Sequence, residues 1–272
     1  MMRLNIQLCK CRKTSQPICH YIKKMSLSKT ILTATFLGFP AIFSVLEKIS
    51  EPIRSNYPLT MEEIGHNYGY ILYRTKIRDG ETVNEIRMEN AADRIQCYHN
   101  GGYVYTAFAE NVHEKFEPNE KLTGGIIDLL CENIGRENFG TGLENQRKGI
   151  CGGVKINDHR QFGFEIFPLP LDEEQIGKIS FDEGYFAGVP AFFIFEFEAD
   201  ELCDTFLELD GFGKGCAFVN GFNLGRFWDI GPQKRLYLPA PLLKKEMNTI
   251  IIFETEGKAA EEIYLADEGG LD

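Results

Sequence analysis

From Tyr68 onward apolar and polar residues alternate in short runs, among them YGYILYRTKI (68–77), NEIRMEN (84–90), GGIIDLL (124–130), AFFIFEFEA (191–199), TFLELD (205–210) and TIIIFETE (249–256). Alternation with a period of two gives a strand one buried and one exposed face, and glycine, proline and asparagine punctuate these runs at intervals typical of a sandwich. No helical period persists beyond about two turns. Asp172, Glu173, Glu174 and Gln175 read as a solvated loop or a single helical turn. The pattern predicts an all-β chain.

An internal repeat organises that pattern. DRIQCYHNGGYVYTAF (93–108) lies over GKGCAFVNGFNLGRFW (213–228) at a constant offset of 120, matching Asn100-Gly101 to Asn220-Gly221 and Phe108 to Trp228. Each copy predicts a strand, a turn and a strand, because Asn-Gly supplies the two positive φ values of a type I′ turn. Ala217 and Val219, with Leu224 and Phe227 across the turn, give the second copy an apolar face to bury. A β run ending in glutamate and glycine follows each copy, IIDLLCENIG (126–135) and TIIIFETEG (249–257). Two similar sandwiches in tandem are expected, over 68–165 and 166–272.

The N-terminal part departs from this pattern. The apolar run from Ile31 to Leu46 covers 16 residues and is interrupted by Gly38, Pro40 and Ser44, short of the roughly 20 that cross a bilayer. Residues 1–42 read as a leader, either targeting or foreign to the fold, and 43–67 as a linker.

Charge narrows the range of partners. The net charge is -11, yet residues 1–40 hold seven basic and no acidic side chains, so the remainder carries 22 basic against 40 acidic groups, or -18. Such a body repels phosphate backbones, which argues against nucleic acid, while a neutral sugar is compatible with it. Of eight cysteines, Cys97, Cys131, Cys203 and Cys216 lie in or beside apolar runs and read as buried thiols. This favours the cytoplasm; the N-terminal segment keeps secretion or membrane targeting as the alternative. Cys9, Cys11, Cys19 and His20 match no Cys-x-x-Cys spacing, so no metal or other cofactor is called for.

Catalytic groups do not assemble. The five histidines are dispersed, and no nucleophile elbow, phosphate loop or His-Glu-x-x-His motif occurs. Glu62 with Glu63, and Glu261 with Glu262, are sequence neighbours whose side chains diverge on a strand or a helix, unlike a glycosidase pair. Asn223, Arg226 and Trp228 form the one polar and aromatic group suited to a sugar. Spacing leaves open whether that group binds a sugar, clamps a neighbouring domain or packs in the core.

At these residues the sequence resembles the C-terminal part of β-galactosidases of glycoside hydrolase family 35. KGCAFVNGFNLGRFWDIGPQKRLYLPAPLLK (214–244) and NTIIIFETEG (248–257) carry the likeness, as do YPLTMEEIGHNYGYILYRT (57–75), AADRIQCYHNG (91–101), ENIGRENFG (132–140) and QRKGI (146–150). The likeness runs from about Phe43 to Leu265. It implies two galactose-binding-like jelly rolls that follow a catalytic (β/α)₈ barrel; a barrel needs about 250 residues, and the family's catalytic glutamates have no positions here. The resemblance also implies that the loop with Asn138 and Phe139 approaches the barrel's active-site mouth, where related enzymes often offer a tyrosine. Phe139 keeps the ring without the hydroxyl.

The expectation is therefore an accessory β region of a β-galactosidase, inactive alone, with the parent's barrel or a galactoside as partner. A stand-alone carbohydrate-binding module and a separately encoded barrel-docking subunit are the alternatives. A barrel-facing surface left uncovered would favour self-association.

Overall fold

The computed structural model describes residues 30–32, 40–144, 146–181, 187–199, 202–266 and 269. Its strands are β1 (Thr30–Leu32), β2 (Ile53–Ser55), β3 (Tyr70–Val83), β4 (Ile86–Ala92), β5 (Arg94–His99), β6 (Gly102–Phe108), β7 (Leu122–Glu132), β8 (Gly149–Ile156) and β9 (His159–Arg160). They continue as β10 (Phe164–Leu169), β11 (Ala191–Glu198), β12 (Thr205–Glu208), β13 (Lys214–Val219), β14 (Phe222–Trp228), β15 (Arg235–Leu238), β16 (Met247–Glu254) and β17 (Ile263–Ala266). The helices are α1 (Ile42–Ile49) and α2 (Glu173–Gly177). The second is the single turn expected at the acidic cluster, capped by Asp172, whose carboxylate accepts the Gln175 N–H at 2.9 Å. The chain is all-β, as its alternation predicts.

Two compact units divide at 191/192. In the first, a six-stranded sheet in the order β2-β10-β3-β7-β5-β6 faces a three-stranded sheet β4-β8-β9. Ile71, Tyr73 and Ile77 of β3, with Ile127 and Leu129 of β7, meet Met88 of β4 and Ile150 and Val154 of β8 in one core. The opposite face of the larger sheet is also covered. Phe43 of α1 packs its ring edge-on to Tyr98 at 5.1 Å, and the Ser50 hydroxyl donates to the Pro168 carbonyl at 2.7 Å.

This arrangement corrects two expectations. Part of the apolar run read as leader and linker is α1, whose Ile42, Val45, Leu46 and Ile49 are buried at the spacing of one helix face. At roughly 1.5 to 3 kcal/mol per fully buried aliphatic side chain, that face belongs to the fold. The boundary expected at 165/166 cuts through β10, which pairs with both β2 and β3. The rest of the leader, with Cys9, Cys11, Cys19 and His20, lies outside the described residues. Among the described residues no helix is long and apolar enough to cross a membrane.

The second unit holds two four-stranded sheets, β1-β17-β12-β15 and β11-β16-β13-β14. Its interior is aromatic: Phe192 stacks on Phe253 at 4.6 Å, and Phe212 lies edge-on to Phe193 at 5.1 Å. Close approach of β13 to β16 requires glycine at 215, where a Cβ would fall 1.8 Å from the Phe253 carbonyl oxygen.

The repeat survives in three dimensions. β5 and β6 recur as β13 and β14 at the offset of 120, and φ is positive at Asn100, Gly101, Asn220 and Gly221. Both hairpins carry a bulge at the matching place, between Cys97 and Tyr98 and between Ala217 and Phe218. Both asparagines brace the next strand. Asn100 Oδ1 accepts the Ile126 N–H at 2.9 Å, and Asn220 Oδ1 accepts the Thr249 N–H at 3.1 Å. The second bulge moves Leu224 out of the paired register, so it is half-buried rather than core, while Ala217, Val219 and Phe227 are buried as expected.

Candidate functional site

The predicted site residues fall into two groups, one in each unit. Asn138 and Phe139 lie in the arch that links β7 to β8. Both are exposed, Phe139 at 90% and Leu143 further along the arch at 51%. An exposed phenyl ring does not hold a loop in place, so the arch must be ordered from its neck.

The neck is built from charged groups far apart in sequence. Glu62 sits in the turn before β3, where Thr60 and Glu63 cap each other: the Thr60 N–H donates to Glu63 Oε2 at 2.8 Å and the Glu63 N–H to Thr60 Oγ1 at 3.3 Å. The Glu62 carboxylate accepts Arg136 Nη2 at 2.5 Å and the Lys148 N–H at 3.0 Å. Burial raises its pKa, but the Arg136 guanidinium and the Lys148 N–H outweigh burial and hold the carboxyl below its usual range. Asp93, at the junction of β4 and β5, accepts the Ile134 N–H at 2.9 Å and Lys148 Nζ at 2.6 Å. Inside these, Arg136 Nη1 donates to the Gln146 carbonyl at 2.7 Å, and the Glu137 N–H to Gln146 Oε1 at 2.6 Å. From the sequence Glu62 is weighed only with Glu63, as a pair unlike that of a glycosidase, and Asp93, Arg136 and Lys148 are not singled out, although each of the four lies in a segment that carries the family likeness.

In the second unit the bulge at Leu224 restores alternation, with Asn223 opposite Phe218, Arg226 opposite Cys216 and Trp228 opposite Lys214. Paired residues point to one side of a sheet, so Asn223, Arg226 and Trp228 share a face of β14. Asn223 Oδ1 accepts the Gly225 N–H at 2.8 Å and steadies the bulge. Arg226 is exposed and Trp228 half-buried. The Lys214 ammonium stands 4.4 Å from the centre of the indole, a cation–π contact that occupies one ring face. Beside Trp228 lies a cleft of about 170 Å³, lined by Leu209, Phe212, Phe227, Asp229 and Lys234 among others.

The strongly buried carboxylates serve the fold. Asp128 is bridged by Arg74 at 2.7 Å and Glu208 by Arg235 at 3.2 Å. Glu254, fully buried, accepts the backbone N–H groups of Gly213, Lys214, Glu256 and Lys258 at 3.0 to 3.4 Å. Burial pushes its carboxyl up to about 7, against the pull of those four donors. Cys97 and Cys131 are buried thiols whose pKa burial raises, as expected of packed cysteines. Among the described residues no group of three or more His, Cys, Asp or Glu side chains is placed to hold a metal ion.

Antiparallel sheets in two successive units, with exposed loop tips and buried carboxylates engaged in structural bonds, define a pair of β-domains. The family model described as "Beta-galactosidase, first all-beta domain" matches residues 58–170, and "Beta-galactosidase, galactose-binding domain" matches residues 190–248. The chain belongs to the β-galactosidase family, in the part formed by these β-domains. Beta-galactosidase-1-like protein 2 of Homo sapiens is 35% identical over 79% of this chain and 34% of its own length. Beta-galactosidase 17 of Arabidopsis thaliana is 30% identical over 79% of the chain and 36% of its own length. The chain thus spans about a third of the curated relatives it matches. Among solved structures, a β-glucuronidase of Bacteroides uniformis covers 74% of this chain and 22% of its own, at 14% identity and a TM-score of 0.25, a likeness too slight to carry an argument.

Proposed function

We propose that the two sandwiches act as accessory domains of a β-galactosidase, bracing its catalytic barrel and lending the Phe139 arch to the aglycone side of the pocket, without hydrolysing galactosides themselves. The observation that carries this reading is an almost fully exposed phenyl ring on an arch whose neck is locked by ion pairs. A retaining glycosidase needs two carboxyl groups about 5 to 5.5 Å apart flanking the scissile bond. Asp128, Glu208 and Glu254 are instead committed to arginines and backbone donors. The purified chain should show no turnover of a chromogenic β-galactoside; appreciable hydrolysis, with contaminating enzyme excluded, overturns the proposal.

A second reading, a carbohydrate-binding module, has one observation in its favour. Asn223, Arg226 and Trp228 share a face of β14, and Trp228 also lines a small cleft. Lys214 over the indole weighs against it, because the cation already uses one stacking face. Calorimetry with galactose and lactose separates the readings. Millimolar or tighter binding that is lost in a folded Trp228→Ala variant supports the module, and absence of heat supports the bracing role.

A further inference from the structure

We infer that Glu62 and Asp93 form a double clasp whose task is to position the Phe139 tip, an inference that rests on the accessory-domain reading for what the tip serves. Each carboxylate takes one donor from each leg of the arch. Glu62 holds Arg136 on the outgoing leg and the Lys148 N–H on the returning leg; Asp93 holds the Ile134 N–H on the outgoing leg and Lys148 Nζ on the returning one. The two anchors arrive from different places, one ahead of β3 and one between β4 and β5. The Met61 N–H also donates to the Lys148 carbonyl at 2.9 Å, so the Glu62 turn holds that residue by both its N–H and its C=O.

Among the described residues no β ladder closes the arch between Glu132 and Gly149, the residues that end β7 and begin β8. Together with the bonds of Arg136 and Glu137 to Gln146, the clasp supplies the closure that a ladder would otherwise give, and it does so with charge-assisted bonds, the stronger kind. A free arch of this length would sample many tip positions and let the phenyl ring fold back on nearby apolar surface. Holding the ring outward removes that ordering cost from any later contact, which is how a preformed loop gains affinity. Glu62, Asp93, Arg136 and Lys148 are positioning residues: they touch the loop, and the loop tip touches the partner.

Amide hydrogen exchange on the full chain tests the clasp without reference to any partner. Glu62→Gln and Asp93→Asn should each speed exchange about tenfold in both legs, 134–137 and 146–148, the size expected for losing a bond to a charged group. Exchange in β3 and β7 should stay unchanged, which shows that the fold persists. Acceleration confined to one leg, or none, overturns the clasp. The tip's purpose is read separately, by adding the chain in trans to the catalytic domain of a β-galactosidase relative and assaying a chromogenic β-galactoside. Phe139→Ala should change KM or kcat in the unaltered background and add nothing in the Glu62→Gln, Asp93→Asn double variant; full additivity overturns the positioning role. If the unaltered chain has no effect on the catalytic domain, the accessory-domain reading fails while the exchange result still decides the clasp.

Discussion

Glu254 illustrates how one side chain can tie a sheet together at a pH-dependent cost. Its four backbone donors join the start of β13 to the segment after β16. Because burial raises the folded pKa from the ordinary 4.5 to about 7, the folded chain binds the proton more tightly than the unfolded chain between those values. The resulting stability is complete below pH 4.5 and is lost as pH rises through about 7. The span corresponds to about 3 kcal/mol. Glu254→Gln cannot titrate, so its destabilisation relative to the parent should shrink by about that amount between pH 4.5 and pH 8 in denaturant titrations; a constant difference rejects the raised pKa. Glu62 has the opposite sign. Its pKa is lowered, so its contribution is present above about 4.5 and fades as pH falls further. As pH falls below 4.5, protection of the arch amides, corrected for the intrinsic exchange rate, should therefore be lost ahead of protection in β3.

Among the elements, the twin hairpins were the most legible from sequence, and the reason is local. Asn-Gly fixes two backbone dihedrals by itself, and the alternation on either side fixes the faces, so turn and strands could be placed without knowledge of the rest. The bulges could not, since Val104 and Leu224 look like ordinary members of an alternating run. Helix α1 was also missed. Eight residues give only two turns of periodicity, and they sit at the end of an apolar run whose Gly38 and Pro40 suggest a leader. The neck of the arch had no local signal, because residues 62, 93, 136 and 148 share no spacing and meet only when three strand connections converge. At this scale Gly215→Ala is the sharpest test. A methyl group set against the Phe253 carbonyl must push β13 from β16, a backbone shift of the kind that costs at least 1 to 3 kcal/mol in a packed core. Thermal melts should show the loss, while alanine at the open Gly177 should leave stability nearly unchanged.

For the molecule, where the first unit ends has practical weight. Strand β10 is hydrogen-bonded between β2 and β3, so a chain stopped at 165 leaves one flank of the six-stranded sheet unpaired. Residues 40–191 expressed alone should melt cooperatively, and residues 40–165 should show no cooperative transition. Equal behaviour of the two would mean that β10 is dispensable. The motifs that carry the family likeness in the sequence do not locate this edge, because none of them falls on β10, whereas the match to the family's first all-β domain, residues 58–170, takes β10 in.

Asn100-Gly101 and Asn220-Gly221 also set a chemical clock. In an Asn-Gly pair the glycine nitrogen can attack the side-chain carbonyl and expel ammonia, and little steric bulk stands in its way. The Asn220 side-chain NH₂ is tethered to the Leu242 carbonyl at 2.7 Å and to Asn248 Oδ1 at 2.9 Å, whereas Asn100 is exposed and, although its Oδ1 holds the Ile126 N–H, its NH₂ has only a long contact to His99 at 3.3 Å. Ageing of the stored protein should begin at Asn100, read as deamidated peptide by mass spectrometry, with Asn220 following only when the second sandwich unfolds.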